Sequence, residues 1–171
     1  MSNHDDAGAY TSFETYVLTR RAALLRTAYL LTGDHADAED LVQVTLVKVV
    51  GRWPRIADRP DAYVRTVLVR ENISRWRRRR WREHSVDQVA DRVDPGSSAT
   101  DAVEDRELLR AALTALAPRQ RAVVVLRYVE DLSEVETAAA LGVSVGTVKS
   151  QARDALARLR AALPEARTVG S

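Results

Sequence analysis

Two stretches of this chain hold residues whose types and spacing suit the chemistry of nucleic-acid binding. The first is SVGTVKSQARDALAR, residues 144–158. Ser144, Gly146, Thr147 and Ser150 are small or hydroxyl-bearing, and on a helix they permit close approach to a base-pair edge. Lys149 lies further round, where it can reach a phosphate. Gln151, Arg153, Asp154 and Arg158 lie on or beside the polar face that would meet a groove. Gln pairs with adenine in two-pronged fashion, and Asp accepts from cytosine but repels phosphate. The second stretch is RWRRRRWR, Arg75 to Arg82, with six arginines and two tryptophans in eight residues. Guanidinium groups neutralise phosphates and indole rings stack on exposed bases, a combination suited to single-stranded or partly opened nucleic acid. Each stretch has a plain alternative. The first could be an ordinary αα-hairpin with a solvated polar face. The second could be a helix end whose Trp76 packs inward while its arginines are only solvated.

A third group suggests different chemistry. His35 and Glu39 are four residues apart and, with Asp40, could line a metal-dependent active site. No second His or Cys cluster completes a coordination shell, so no metal, cofactor or catalytic residue is expected. The chain has no cysteine, which excludes disulfides. The opening MSNHDDAGAY lacks a basic stretch followed by an apolar run, so no secretory signal is expected. No apolar run approaches the roughly 20 residues that cross a bilayer. A soluble, cytoplasmic protein fits these features. The net charge of +2 argues little, but charge is sorted along the chain. Behind the arginine run, Glu83 to Asp105 holds seven acids against one arginine.

The elements that must position these groups are helices. Phe13 to Leu31 is apolar at helical spacing through Tyr16, Val17, Leu24, Leu25 and Ala28, and Gly33 and Asp34 break it. Asp37 to Val50 is a second helix, with Asp37, Glu39 and Asp40 in its first turn, where they favour the helix dipole. Gly51 to Pro60 reads as a loop. Asp61 to about Trp81 is a third helix, with Tyr63, Val64, Val67, Leu68 and Ile73 as its buried stripe. Glu83 to Thr100 contains DPGSSAT and reads as a flexible acidic linker. Asp101 to Leu116 and Pro118 to about Glu130 are helical. Then Ser133 and Glu136 form a capping box, with Val135, Ala138, Ala139 and Leu141 at helical spacing behind it. Gly142 supplies the reversal. Ser144 caps a last helix that buries Val145, Val148, Ala152, Ala155, Leu156 and Leu159. The expected fold is all-α: two small helical domains joined by a flexible acidic linker, the C-terminal one a helix-turn-helix.

In this order the segments resemble a bacterial RNA polymerase sigma factor of the sigma-70 superfamily, in its extracytoplasmic-function group. LTGDHADAEDLVQ at Leu31–Gln43 is similar to the family's segment that grips the polymerase β′ clamp helices. DAYVRTVLVRENISRWRRRR at Asp61–Arg80 resembles the helix that melts and reads the minus-ten element. Leu113–Ser150 resembles the domain that reads the minus-thirty-five element. WRRRRW and VGTVKSQ together look most like an actinobacterial subgroup named after sigma-E.

The resemblance implies a division into residues 10–82 (region 2), 83–103 (linker) and 104–163 (region 4). It implies polymerase contacts at Asp37, Glu39, Asp40 and Gln43. Downstream-element contacts would come from Arg65, Arg70, Asn72, Ser74, Trp76, Arg77, Arg78, Arg79 and Arg80. Upstream-element contacts would come from Ser144, Gly146, Thr147, Lys149, Ser150, Gln151, Arg153, Asp154 and Arg158. The implied partners are core RNA polymerase, through its β′ clamp helices and β flap, and promoter DNA, with an anti-sigma factor as a further candidate. Membrane insertion is not implied, nor is enzymatic activity. Val44, Arg70, Gln151 and Asp154 depart from the residues usual in the family, which puts the preferred promoter sequence in doubt. The rival reading is a stand-alone helix-turn-helix regulator that binds operator DNA without polymerase.

Overall fold

Helices account for the architecture of the computed structural model, which describes residues 4–83 and 101–163. The N-terminal half consists of α1 (His4–Thr32), α2 (His35–Val50), the short α3 (Trp53–Ile56) and α4 (Pro60–Glu83). The C-terminal half consists of α5 (Asp101–Thr114), α6 (Pro118–Val124), a π-helical turn (Val125–Val129), α7 (Glu134–Leu141) and α8 (Val145–Ala162). The expected all-α fold is present, and no strand occurs among the described residues.

The α1–α2 turn is set by two residues. Gly33 has φ +75°, a backbone region that glycine enters without a Cβ clash. Asp34 then caps α2, its carboxylate accepting from the Asp37 N–H at 2.9 Å. α2 returns along α1, and the two bury Leu24, Ala28, Leu31, Ala38, Leu41, Val42 and Val49 against Val64, Leu68 and Val69 of α4. Each such side chain contributes about 1.5–3 kcal/mol relative to exposure. Trp53, almost fully buried, lies 5.1 Å from the rings of both Phe13 and Tyr16. Tyr16 donates to Asp61 at 3.1 Å. Burial, followed by the Asp61 charge, pushes its phenol up to about 12.

The helix-turn-helix has the predicted signals in place. Ser133 accepts from the Glu136 N–H at 3.1 Å, while the Glu136 carboxylate accepts from the Ser133 N–H at 2.7 Å. Gly142 terminates α7 at φ +67°. Ser144 caps α8 by accepting from the Thr147 N–H at 3.1 Å. Val123, Ala138 and Val148 form a small core inside this unit.

Several elements depart from the sequence reading. The loop at 51–60 contains α3, started by Pro54 near its first turn. The helix beginning at Pro118 widens after Val124 into the π turn instead of continuing as α. On α7 the inward face is Thr137, Ala138 and Ala140, while Val135 is 67 % exposed and Ala139 also faces out. On α4 Val69 and Asn72 are buried, and Tyr63 lies at the surface. The α4 helix includes Glu83 and the α5 helix starts at Asp101, so the intervening residues assigned to a linker lie outside the described ones.

The two halves share one apolar core. Leu24, Ala28 and Leu31 of α1 belong to the same cluster as Leu113, Leu116, Val125, Leu126 and Leu132. Arg121 stitches the seam. It is only 8 % exposed, and its guanidinium donates to the carbonyls of Leu113 (2.8 Å), Thr114 (3.1 Å) and Leu116 (3.0 Å) in its own half. It also donates across the seam to Leu31 at 2.6 Å. These acceptors are carbonyls at or beyond the C-terminal ends of α5 and α1, where the helix dipole is negative. Burial lowers the Arg121 pKa from its ordinary value.

Candidate nucleic-acid interface

α8 offers the expected polar surface. Ser144, Gly146, Lys149, Ser150, Arg153, Asp154 and Arg158 are exposed, while Thr147 and Gln151 are half-buried. The hydroxyls near the helix start are held locally. Ser144 and Thr147 share a 2.9 Å hydrogen bond, and Ser150 donates to the Thr147 carbonyl at 3.1 Å. Lys149 lies 3.7 Å from Glu134 at the start of α7, an exposed pair that water screens strongly. Arg158 reaches Gln120 of α6 at 3.4 Å.

α4 carries the second surface, and its residues divide by side. Arg77, Arg78 and Arg80 are exposed. Trp76 is 41 % exposed, with the Arg80 guanidinium 5.3 Å from its ring centre, so its indole face is available for stacking and already attracts a cation. Trp81 is 77 % exposed, which a soluble helix end does not require for packing. Asn72 does not join this surface. It is buried between its neighbours on α4 because the apolar stripe of Val64, Leu68 and Val69 continues through its position.

The same helix pairs with the acids of α2. Arg79 makes a two-pronged bond to Asp37 at 2.6 and 3.0 Å, and Arg75 bonds Asp40 at 2.8 Å. The Asp37 hydrogen bond raises the Arg79 pKa from its ordinary value. Thus two of the four residues assigned to polymerase binding, Asp37 and Asp40, are joined to α4. The other two, Glu39 and Gln43, line an open groove of about 380 Å³ between α1 and α2, alongside Phe13, Val17, Leu46 and Val47. Val47 is 68 % exposed and Leu18, on neighbouring α1, is 85 % exposed. His35 stacks on Tyr29 at 4.1 Å, and among the described residues no group of three or more potential ligands could hold a metal ion.

The structure also brings together residues that the sequence reading kept apart. Arg70, Ser74 and Arg77 of α4 face Thr147 and Gln151 of α8 across a cleft of about 200 Å³. Arg119, not singled out from sequence, stands at the rim of this cleft and of a second one that includes Trp76, Arg80 and Gln151. Its signal was the PRQR start of α6, where an arginine beside a helix N-terminus has no dipole to favour it.

Comparisons with known proteins bear on these surfaces directly. Residues 16–82, spanning most of α1 through α4, match Sigma-70 region 2, and residues 106–159, spanning α5 through α8, match Sigma-70, region 4. The RNA polymerase sigma-E factor of Streptomyces avermitilis is 49% identical over 158 residues, covering 90% of this chain and 86% of its own. The chain is a sigma-70-family RNA polymerase sigma factor. The sigma-E factor of Streptomyces coelicolor is 48% identical over 90% of this chain and 86% of its own. The extracytoplasmic-function (ECF) sigma factor SigL of Mycobacterium tuberculosis is 37% identical over 84% of each. Among solved structures, the sigma factor RpoE from Bartonella quintana, in complex with the anti-sigma factor NepR, superposes with a TM-score of 0.71 at 28% identity, covering 91% of this chain and 98% of that one. As a sigma factor, this protein is a transcription initiation factor that binds core polymerase and promoter DNA.

Proposed function

We propose that this ECF sigma factor divides its task among three surfaces, with residues 10–82 acting as region 2, 83–103 as the connector and 104–163 as region 4. Glu39 and Gln43, beside the apolar groove of α1 and α2, grip the polymerase clamp helices. Asp37 and Asp40 support that grip from behind by fixing α2 to α4. Trp76, Arg77, Arg78 and Arg80 hold the opened downstream promoter element by stacking and phosphate neutralisation. The start of α8 enters the major groove of the upstream element, where Gln151, Arg153 and Asp154 read bases and Lys149 and Arg158 hold the backbone. This role places the protein in the cytoplasm. No described helix is long and apolar enough to cross a membrane. An anti-sigma factor is a further partner, supported by the complex in which the Bartonella relative was solved.

The observation that carries this reading is the pairing of a serine-capped α8, whose polar start faces outward behind the left-handed Gly142, with an arginine- and tryptophan-rich α4 end in the same chain. Runoff transcription with core polymerase and a promoter library tests it. Promoter-specific transcripts that depend on both the protein and core polymerase are expected. Operator binding by the protein alone, with no polymerase-dependent transcript, would replace this reading with that of a stand-alone regulator.

A further inference from the structure

Two of the arginines assigned to the downstream promoter element do not face solvent; they are held by the C-terminal half of the same chain. Arg65 bonds Glu130 at 3.2 Å, and the other Glu130 oxygen accepts from the Thr27 hydroxyl of α1. Both charged side chains of this pair are about four-fifths buried. Arg70 donates to the carbonyls of Ala140 at 2.9 Å and Ala139 at 3.2 Å, the last turn of α7. Those carbonyls are helix-end acceptors without an intrahelical partner, so a guanidinium is a natural cap for them. The position of Glu130 depends on the π turn. Its N–H bonds the Val125 carbonyl five residues back, and Asp131 follows at φ +55°, turning the chain toward α7. Across the cleft beyond Arg70, Thr147 and Gln151 face Ser74 and Arg77. Duplex DNA cannot lie along α8 and opened DNA along this flank of α4 while the cleft is closed, because each would occupy the volume of the other half.

We infer that the chain masks itself: Glu130 on Arg65 and Thr27, together with the α7 carbonyls on Arg70, form a latch that holds the helix-turn-helix over the promoter-melting helix. The partner surface for this flank of α4 in the unbound protein is therefore the protein's own C-terminal half. Polymerase and DNA must draw on binding energy to part the two halves, and apparent affinity for DNA falls by the fraction of molecules that are open. This inference rests on the proposed use of α4 and α8 as DNA-reading helices, but its first measurement does not.

The test uses the full chain, whose lack of cysteine allows two unique labels through Leu18→Cys and Val135→Cys, both at exposed positions on opposite halves. Glu130→Arg is expected to lengthen the label distance in most molecules with the helical circular-dichroism signal retained. Arg65→Glu combined with Glu130→Arg should bring the short distance back. If Glu130→Arg does not fold, Glu130→Gln and Arg70→Ala carry the same measurement. An unchanged distance in the folded variants overturns the latch. The second measurement is binding of a short single-stranded DNA oligonucleotide of mixed sequence. If about one molecule in ten is open, Glu130→Arg tightens binding on the order of tenfold. A longer distance with no gain in DNA affinity overturns the masking. A latch that opens and gains DNA affinity, in a protein that supports no polymerase-dependent transcription, would instead defeat the proposed function and leave the latch standing.

Discussion

Lys149 and Gln151 sit two residues apart on α8, yet they play different parts in binding. Lys149 is largely exposed and carries only a 3.7 Å contact to Glu134, so a phosphate can take its charge at little cost. Lys149→Ala should weaken binding to all promoters about equally and reduce the salt slope by about one. Gln151 lies half-buried on the cleft side, one turn in from the Ser144 cap. Gln151→Arg exchanges an adenine-type pairing for a guanine-type one and should shift preference at one base pair by about 1–3 kcal/mol. A promoter-library selection with both variants separates them; a Gln151→Arg variant that changes affinity but no base preference removes Gln151 from the reading surface. The polymerase grip is testable in the same way. Glu39→Arg with Gln43→Ala should lose core-polymerase affinity in a pull-down while the thermal midpoint stays put, because both side chains are exposed. Asp40→Arg would be a poorer probe, since it also breaks the bond to Arg75. An unchanged pull-down in the double variant would show that the groove of α1 and α2 is not the docking surface.

At the scale of elements, the capping box and the glycine turn set where α7 begins and ends. The Ser133 N–H, then its hydroxyl, hold the Glu136 carboxyl below its usual range. A depressed folded pKa means that the stabilisation is present above the unfolded value, about 4.3, and is lost as pH falls through the folded value. Hydrogen-exchange protection of the first turn of α7 should therefore drop in that acid window. Glu136→Gln, which keeps the box geometry, should flatten the response. These caps were legible in sequence because Ser-x-x-Glu, Gly and Ser each act within four residues. The burial pattern of α7 was not. In an eight-residue Ala-rich helix, the choice between Ala139 and Ala140 as the inward position depends on which neighbour arrives, and Val135 lost that choice to Thr137. Asn72 was misplaced for a related reason: a polar residue in an arginine-rich helix reads as surface, but here the apolar stripe passes through it. The acids of α2 could be read as a surface but not as partners of Arg75 and Arg79, because a sequence does not show which of many arginines lies opposite.

For the whole molecule, the shared core predicts that the two halves lose structure together. Leu31 is fully buried, packs in the common cluster and lends its carbonyl to Arg121. Leu31→Ala should cost about 2–5 kcal/mol, and calorimetry should show that both halves feel the loss. A second half that melts at its original temperature would mean that the seam contributes little. Nothing in the sequence announces this seam, since Leu24, Ala28 and Leu31 could equally have been covered within the first half alone. The π turn has a consequence of its own. Where an α-helix would advance four residues per hydrogen bond, Val125–Val129 advances five, so one surplus residue swings everything beyond it about the helix axis. Removing a single residue there would leave every side chain of α7 and α8 intact while turning the reading head by roughly a quarter of a revolution. The aim of this protein on its promoter is thus encoded in a length, and insertions or deletions at this one place can retarget it in ways that no substitution can.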